Sequence, residues 1–302
     1  MDSLLSVEDI KDDVKYILDL ASKIKAGQVE DKPLNGKTLA MIFQKSSTRT
    51  RVSFDVGMYQ LGGRAIFLSS NDLQMGRGEP ISDTAKVLSR FVDGIMIRAI
   101  KHDDVVELSK YSDVPVISGL TDLEHPCQSL ADMLTIKEHL GSWEGKKICF
   151  VGDGNNVCNS LLLIAPLLGM DMSVACPKGY EPNENILKTA NKWAEENNTQ
   201  ITISDDLNIA LDNTDVVYTD VWVSMGDEAE ANQRKKDLSP FQVNSDLMAL
   251  ANDEAIFMHC LPAIRGQEVS SDVIDGECSV IYDQAENRMH AQKAVLYYYL
   301  KD

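Results

Sequence analysis

The sequence predicts an α/β fold with two doubly wound parallel-sheet domains joined by helices. Short apolar segments typical of buried strands alternate with helical segments, which is the pattern of parallel sheets covered by helices on both faces. The alternation occurs twice, and a longer helical segment at 126–140, closed by Gly141, separates the two runs. The length of 302 residues also corresponds to about two domains at ~150 residues each.

The first run supplies the elements of a predicted N-terminal domain, residues 1–138. Its short apolar segments predict strands at 37–43, 64–68, 94–98 and 114–118. The segments between them predict helices at 48–61, 82–91 and 102–111. We expect the helix at 126–140 to bridge the two domains.

The second run supplies a predicted domain at 139–284. Its apolar segments predict strands at 147–151, 172–176, 200–204, 215–219, 255–258 and 279–282. Helices are predicted at 156–168 and 183–197. A last helical segment at 287–300 is expected to pack back on the first domain, so residues 285–302 are assigned to a C-terminal helix.

The charge balance excludes some classes of partner. The chain carries 29 Lys+Arg against 47 Asp+Glu, a formal net charge of −18. Nucleic-acid and anionic-lipid surfaces require clustered positive charge, so neither is an expected partner. Hydrophobic residues at 44% and charged residues at 25% are ordinary for a globular protein. Any anionic ligand must therefore be held in a local cationic pocket.

Compartment and redox state follow from the terminus and the cysteines. The N-terminal segment has no basic region followed by an apolar core, so no signal peptide is expected. The longest apolar run, 161–170, contains Pro166 and is too short to cross a bilayer. Six cysteines include no C-x-x-C pair. A cytoplasmic location is the simplest interpretation.

Cations follow the first predicted strand, where a helix begins. Lys45, Arg49 and Arg51 crowd a helix N-terminus for which Ser47 or Thr48 is a suitable cap. The helix dipole disfavours cations there, and a bound anion such as phosphate resolves the conflict. A solvated basic first turn is the alternative interpretation.

Two further strand ends carry polar groups that ligands of parallel sheets contact. The strand at 94–98 ends in Arg98, which alone could be a surface charge. After the next strand, Pro126 suits a first helical turn, which places His125 at the cap beside Gln128.

The glycine-rich segment after the strand at 147–151 is a poor nucleotide motif. Val157 occupies the third glycine position of G-x-G-x-x-G, which disfavours a dinucleotide site. The 36–38 Gly-Lys-Thr triplet likewise has Asp31 where a phosphate-binding loop needs glycine. Asn155 and Asn156 instead offer amide groups to a polar small molecule, or form a turn and helix cap.

The remaining strand ends carry Asp220 and Cys260, and Arg288 is predicted at the turn between the last strand and the last helix. An aspartate at a strand end can hold an ammonium group, and the polar loop after it could act as a lid. His259 beside Cys260 suggests a thiol nucleophile, but neighbours on a strand point to opposite faces. Zinc bound by His125, Cys127, His259 and Cys260 stays a less favoured alternative because the spacing matches no usual site.

Four of these segments together resemble the aspartate/ornithine carbamoyltransferase family. They are Ser-Thr-Arg-Thr-Arg at 47–51, His-Pro-Cys-Gln at 125–128, Asp-Val-Trp-Val-Ser-Met-Gly at 220–226 and His-Cys-Leu-Pro at 259–262. The last two resemble the ornithine branch. Small departures are Gln267 and Gln284, where acidic residues are expected, and Ile264, where a bulkier residue is common.

The resemblance implies carbamoyl transfer from carbamoyl phosphate to the δ-amine of L-ornithine, in a cleft between the domains. The implied catalytic residues are Arg98, His125, Asp220 and Cys260. The implied carbamoyl phosphate site is Ser47, Thr48, Arg49, Thr50, Gln74, Arg98, His125, Gln128, Cys260, Leu261 and Arg288. The implied ornithine site is Asn156, Asp220, Ser224 and Met225.

The resemblance also implies an assembly. Gln74 would be lent by a neighbouring subunit, which implies a homotrimer with shared active sites, and larger assemblies stay open. Carbamoyl phosphate already contains a good leaving group, so no covalent enzyme intermediate is implied. The resemblance also implies no metal or organic cofactor. Two alternative functions remain: a transferase for putrescine or another amine, and a catalytically silent relative that binds carbamoyl phosphate.

Overall fold

The computed structural model describes residues 2–70, 73–223 and 230–301. The chain divides into two compact units. Unit 1 comprises residues 1–134 and 286–302, and unit 2 comprises residues 135–285. Within the described ranges, no helix is both long and apolar enough to cross a membrane.

Unit 1 contains a four-stranded parallel sheet with strand order β2-β1-β3-β4. Its strands are β1 (Thr38–Phe43), β2 (Arg64–Ser69), β3 (Gly94–Arg98) and β4 (Val116–Leu120). Its helices are α1 (Val14–Lys25), α2 (Thr48–Gln60), α3 (Ile81–Leu88), α4 (His102–Tyr111) and the first half of α5 (Pro126–Leu140). Short 3-10 helices lie at Val7–Ile10 and Gln74–Arg77. The last predicted strand, 114–118, is shifted by two residues towards the C-terminus.

Unit 2 contains a five-stranded parallel sheet with strand order β7-β6-β5-β8-β9. Its strands are β5 (Lys147–Val151), β6 (Asp171–Ala175), β7 (Ile201–Ser204), β8 (Val216–Thr219) and β9 (Ile256–His259). Its longer helices are α6 (Asn156–Leu167), α7 (Glu184–Asn197) and α9 (Ala231–Leu238). Shorter helices are α8 (Leu207–Leu211), α10 (Ser245–Met248), α11 (Ser271–Ile274) and the 3-10 helix Ser239–Phe241.

The central strands are buried on both faces, as parallel sheets require. The inner strands β3 and β8 contain only buried residues, and so does β9 at the edge of its sheet. The edge strand β2 is different, because none of its residues is fully buried. The expectation of two parallel-sheet α/β domains is confirmed by these two sheets.

The strand predicted at 279–282 is wrong. Ser279 makes one isolated bridge to Phe257, and the last helix, α12 (Ile281–Leu300), begins two residues later. Val280 and Ile281 are apolar, which is typical of a strand, but in the structure they are buried where a 20-residue helix begins. Arg288 therefore lies within α12 and not at a strand-to-helix turn. From Glu286 onwards α12 belongs to unit 1, where Leu300 packs against Gly94.

Each sheet has one topological switch point, where successive strands stop being added on one side of the first strand and are added on the other side. In unit 1 this point lies between β1 and β3, and in unit 2 it lies between β5 and β8. The carboxyl ends of the flanking strands diverge there and leave room for a ligand. We therefore expect ligand-binding residues in the segments that follow Phe43 and Arg98 in unit 1, and Val151 and Thr219 in unit 2.

Candidate active site

The first turn of α2 follows β1 at the switch point of unit 1. Ser47 caps the helix, since its Oγ accepts a hydrogen bond from the backbone N–H of Thr50 at 3.2 Å. The first turn contains no acidic residue to balance the helix dipole. The Nε of Arg49 is buried and has no hydrogen-bond partner among the described residues. The backbone N–H groups at the start of α2 and the guanidinium of Arg49 are hydrogen-bond donors, and one anion can accept from both.

Arg98 is positioned by an irregularity in the sheet. The pairing of β3 with β4 skips Gly119, so that Ile97 pairs with Ser118 and Arg98 pairs with Leu120. A bulge of this kind redirects the side chain that follows it, and bulges are common next to active sites. Arg98 is buried at the end of β3 although it carries a charge, which requires compensation from neighbours or a ligand.

His125, immediately before α5, is buried among three arginines. Burial lowers the pKa of its imidazole well below the usual value of 6.5, and the positive charges of Arg288, Arg98 and Arg49 lower it further. His125 is therefore neutral at pH 7 and can donate an N–H without giving up a full proton. A cluster of guanidinium groups around a neutral donor suits a phosphate joined to a polarisable carbonyl group.

This lowered pKa predicts a pH-dependent stability. Between the folded and unfolded pKa values the unfolded chain binds more protons, so the free energy of unfolding falls as the pH drops below about 6.5. Replacement of His125 by glutamine, which does not titrate, should make that fall shallower. Urea unfolding at pH 7.5 and pH 5.5 measures how much the free energy of unfolding falls in each protein. An equal fall in wild type and variant would contradict a lowered pKa of His125.

Thr50 and Arg288 join α2 to α12 within unit 1. The Nη2 of Arg288 donates to the Oγ1 of Thr50 at 2.9 Å, and both side chains are buried. Arg288 is thus held near the capped end of α2 by a helix that is distant in sequence. The structure brings together the predicted residues Arg49, Thr50, Arg98, His125 and Arg288 in unit 1.

Asp220 occupies the corresponding switch point of unit 2. It follows β8, and its Oδ2 accepts a hydrogen bond at 2.8 Å from the side-chain amide of Asn155 in the loop after β5. Its Oδ1 accepts from the Sγ of Cys260, which follows β9, at 3.1 Å. Asn155 also caps α6 by accepting from the N–H groups of Val157 and Cys158. Three neighbouring strand ends are thus joined around one carboxylate that can bind an ammonium group.

The His-Cys-Leu-Pro segment is held by buried groups behind it. The Nδ1 of His259 accepts from the backbone N–H of Leu261 at 2.9 Å, and its Nε2 lies 3.2 Å from the Oε1 of Glu268. His259 and Glu268 are both fully buried. Leu261 has a φ of 59°, which is unfavourable for a branched side chain, and its peptide bond to Pro262 is cis. The His259 contact holds this backbone in place.

Sequence reasoning missed the contacts of Glu268 and Gln284. The carboxylate partner of His259 lies one residue beyond Gln267, where an acidic residue was expected. The Oε1 of Gln284 accepts from the backbone N–H of His259, while its Nε2 donates to the hydroxyl of Tyr218. An amide fits this position because it both donates and accepts. Spacing in the sequence gives no signal for either contact.

A metal is poorly matched to the described residues. Only Asp220, His259 and Cys260 bring three potential ligand atoms within 4.8 Å of one another in the described ranges. Both ring nitrogens of His259 already have partners, so metal binding would break the support of Leu261. Burial raises the pKa of the Cys127 thiol to about 12, which disfavours the thiolate that the zinc alternative needs.

Other predicted site residues stand as follows. Ser224 and Met225 lie outside the described residues. Gln74 is exposed on the 3-10 helix Gln74–Arg77, and Asn156 is half-buried in the first turn of α6. The roles of all predicted site residues stay predictions.

Comparison with known proteins also divides the chain in two, although the second match includes the part of α12 that belongs to unit 1. Residues 2–138 match the family described as "Aspartate/ornithine carbamoyltransferase, carbamoyl-P binding domain". Residues 144–299 match "Aspartate/ornithine carbamoyltransferase, Asp/Orn binding domain". The chain therefore belongs to the aspartate/ornithine carbamoyltransferase family.

Three similar proteins carry the name of the ornithine branch of that family. An ornithine carbamoyltransferase from Methanobrevibacter smithii is 79% identical over 301 residues, which cover 100% of both chains. One from Methanosphaera stadtmanae is 60% identical over 302 residues, again covering 100% of both chains. A solved structure of ornithine carbamoyltransferase from Pyrococcus furiosus superposes with a TM-score of 0.95 at 53% identity, covering 99% of this chain and 96% of that one.

Proposed function

We propose that this protein transfers the carbamoyl group of carbamoyl phosphate to the δ-amine of L-ornithine, giving L-citrulline and phosphate. The observation that carries the proposal is the neutral, buried His125 beside Arg49, Arg98 and Arg288. His125, Arg49 and Arg98 lie in the range 2–138 that matches a carbamoyl phosphate-binding domain, and Arg288 is added by α12. The relatives that are named ornithine carbamoyltransferase support the second substrate.

The unit 1 groups suit the donor. Ser47, Thr48 and Thr50, with Arg49, Arg98 and Arg288, would bind the phosphate. His125 and Gln128, also with Thr50, would address the carbamoyl group. The reaction generates an oxyanion on the carbonyl oxygen, and each pre-oriented donor aimed at it contributes roughly 3–4 kcal/mol. Cations also stabilise the leaving phosphate, so no covalent enzyme intermediate is needed.

The unit 2 groups suit the acceptor. The δ-amine of ornithine is mostly protonated at neutral pH and must lose a proton before it attacks. Asp220 and Cys260 would position the amine and take up that proton, and Asn156, Ser224 and Met225 would bind the amino-acid end. Orientation of two bound ligands contributes several kcal/mol to the lowering of the barrier. Leu261, next to Cys260, would line the junction of the ligands.

The loop before α6 provides a test of the acceptor side. A Cβ at Gly154 would lie 2.4 Å from the backbone nitrogen of Pro182, so Gly154→Ala must displace the loop that carries Asn155. We expect a rise in the KM for ornithine of about tenfold or more and a loss of stability of about 1–3 kcal/mol. Steady-state kinetics and urea unfolding measure both. An unchanged KM would contradict the role of this loop.

We also propose a cytoplasmic homotrimer in which Gln74 reaches the carbamoyl phosphate site of a neighbouring subunit. Three exposed apolar residues on α2, Val52, Val56 and Tyr59, follow a spacing of four and three residues and thus share one helix face. This exposed apolar face of α2, next to the edge strand β2, supports contact with another copy of the chain. Light scattering that gives the mass of one chain would contradict the trimer.

An assay of three amines in parallel tests the proposed reaction. The purified protein is incubated with carbamoyl phosphate and with L-ornithine, putrescine or L-aspartate, and ureido products and phosphate are quantified by mass spectrometry and colorimetry. We expect citrulline and phosphate in equal amounts from ornithine. Faster turnover of putrescine would favour the amine alternative, and no turnover with any amine would favour a silent relative.

A further inference from the structure

Gln128 and Asp132 form a buried pair on α5 in unit 1. The Nε2 of Gln128 donates to the Oδ1 of Asp132 at 2.8 Å, between residues that are one helical turn apart. Gln128 is 1% exposed and Asp132 is fully buried. Burial of a carboxylate is unfavourable, so its presence here calls for a function.

The carboxylate determines which way the Gln128 amide points. A carboxylate accepts hydrogen bonds, so it takes the NH2 end of the amide, and the opposite end must then be the carbonyl oxygen. That oxygen, Oε1, is buried and has no hydrogen-bond partner among the described residues. An unsatisfied buried acceptor is rare in native proteins and indicates a missing donor.

We infer that Asp132 is a positioning residue that aims the carbonyl oxygen of Gln128 at the amino group of the carbamoyl ligand. The inference rests on the proposed function. Gln128 lies in the first turn of α5, three residues after His125, so the two residues lie at the same end of the helix. The NH2 group of a carbamoyl ligand supplies the donor that Oε1 lacks.

This arrangement makes the protein selective for a carbamoyl over an acetyl group. A methyl group has the size of NH2 but donates no hydrogen bond, so an acetyl ligand leaves Oε1 buried and unpaired. Sites built to hydrogen-bond a ligand reject analogues that lack the bonding group much more strongly than apolar sites do. If the amide could reverse, its NH2 end would face the ligand and this discrimination would be lost.

The test uses two stable phosphonates that differ only at this group. Phosphonoacetamide carries NH2 on its carbonyl carbon, and 2-oxopropylphosphonate carries methyl. Calorimetry of the full-length protein should show that wild type prefers phosphonoacetamide by about tenfold or more. Asp132→Asn, which can donate as well as accept, should bring the ratio towards one, chiefly by weakening phosphonoacetamide. Asp132→Ser, which also donates and accepts, should do the same.

A matched control and a stability measurement separate this role from general damage. The control residue, Asp93, lies at the amino end of β3 and accepts a hydrogen bond from the backbone N–H of Thr38 at 2.7 Å. Asp93→Asn should retain the wild-type ratio of the two phosphonate affinities. Equal losses for both phosphonates in the two Asp132 variants, or a wild-type ratio near one, would overturn the inference. Direct binding does not depend on turnover, so the citrulline assay reports separately on the proposed function.

Discussion

Replacement of Arg49 by glutamine is expected to lower kcat/KM for carbamoyl phosphate by about 10²–10³-fold, the cost of one lost charged donor at a reacting group. Arg49 lies in the first turn of α2, and its charge is one of the three that lower the pKa of His125. Glutamine preserves the helix, since both residues have similar helix propensity. Steady-state kinetics with saturating ornithine measures the effect, and urea unfolding confirms that the variant is folded.

Arg51→Gln is the matched control for this prediction. Arg51 lies two residues further along α2, on another face of the helix, and its guanidinium lies 3.7 Å from the centre of the Phe67 ring. Both substitutions remove one positive charge, so they change the long-range field of the molecule equally. We expect Arg51→Gln to change kcat/KM by less than about threefold, because remote charges are screened by salt. Equal effects of the two variants would indicate a field effect and not a phosphate site.

The net charge of −18 and the cationic cluster are compatible because they act over different distances. The bulk charge affects solubility and the approach of ligands, and salt screens it over about 8–10 Å. The buried guanidinium groups of Arg98 and Arg288 act at close range in a poorly solvated environment. An acidic protein can thus bind phosphate tightly where a few cations converge.

The sequence predicts local features well where one residue type has one physical role. Ser47 as the cap of α2 and the two parallel sheets are confirmed by the structure. Patterns of a few residues are less reliable, since apolar residues at 279–282 suit a short strand as well as a helix entry. This ambiguity placed Arg288 in a turn, while the structure places it in α12, where it contacts Thr50.

Contacts between buried polar residues could not be predicted because nothing local indicates burial. Gln128, Ser129, Asp132 and Thr135 on α5 are polar and resemble a solvated helix face, yet all four are buried. Glu268 resembles a surface residue of a charged loop, yet it is fully buried beside His259. Only the tertiary structure shows that these groups support the residues that the motifs contain.

Replacement of Asp220 by asparagine is expected to lower kcat/KM for ornithine by about 10²–10³-fold, while the affinity for phosphonoacetamide stays unchanged. Asparagine retains the shape of the side chain but removes the negative charge that we propose holds the ammonium group and helps to take up its proton. It also leaves the thiol of Cys260 with a weaker acceptor than the carboxylate. Kinetics with each substrate in turn, together with calorimetry of the phosphonate, separates the two sides of the reaction.

Asp215 provides the control for this variant because it stands at the opposite end of the same strand, β8. Its carboxylate accepts from the backbone N–H of Lys147 at 2.9 Å and pairs with the ammonium group of Lys146 at 3.1 Å. Asp215→Asn changes the net charge equally and should cost about 1 kcal/mol of stability with kcat/KM nearly unchanged. If both variants lost activity alike, β8 would matter for folding alone. Loss confined to Asp220→Asn would instead assign the acceptor amine to the carboxyl end of the strand, as the chemistry of the switch point requires.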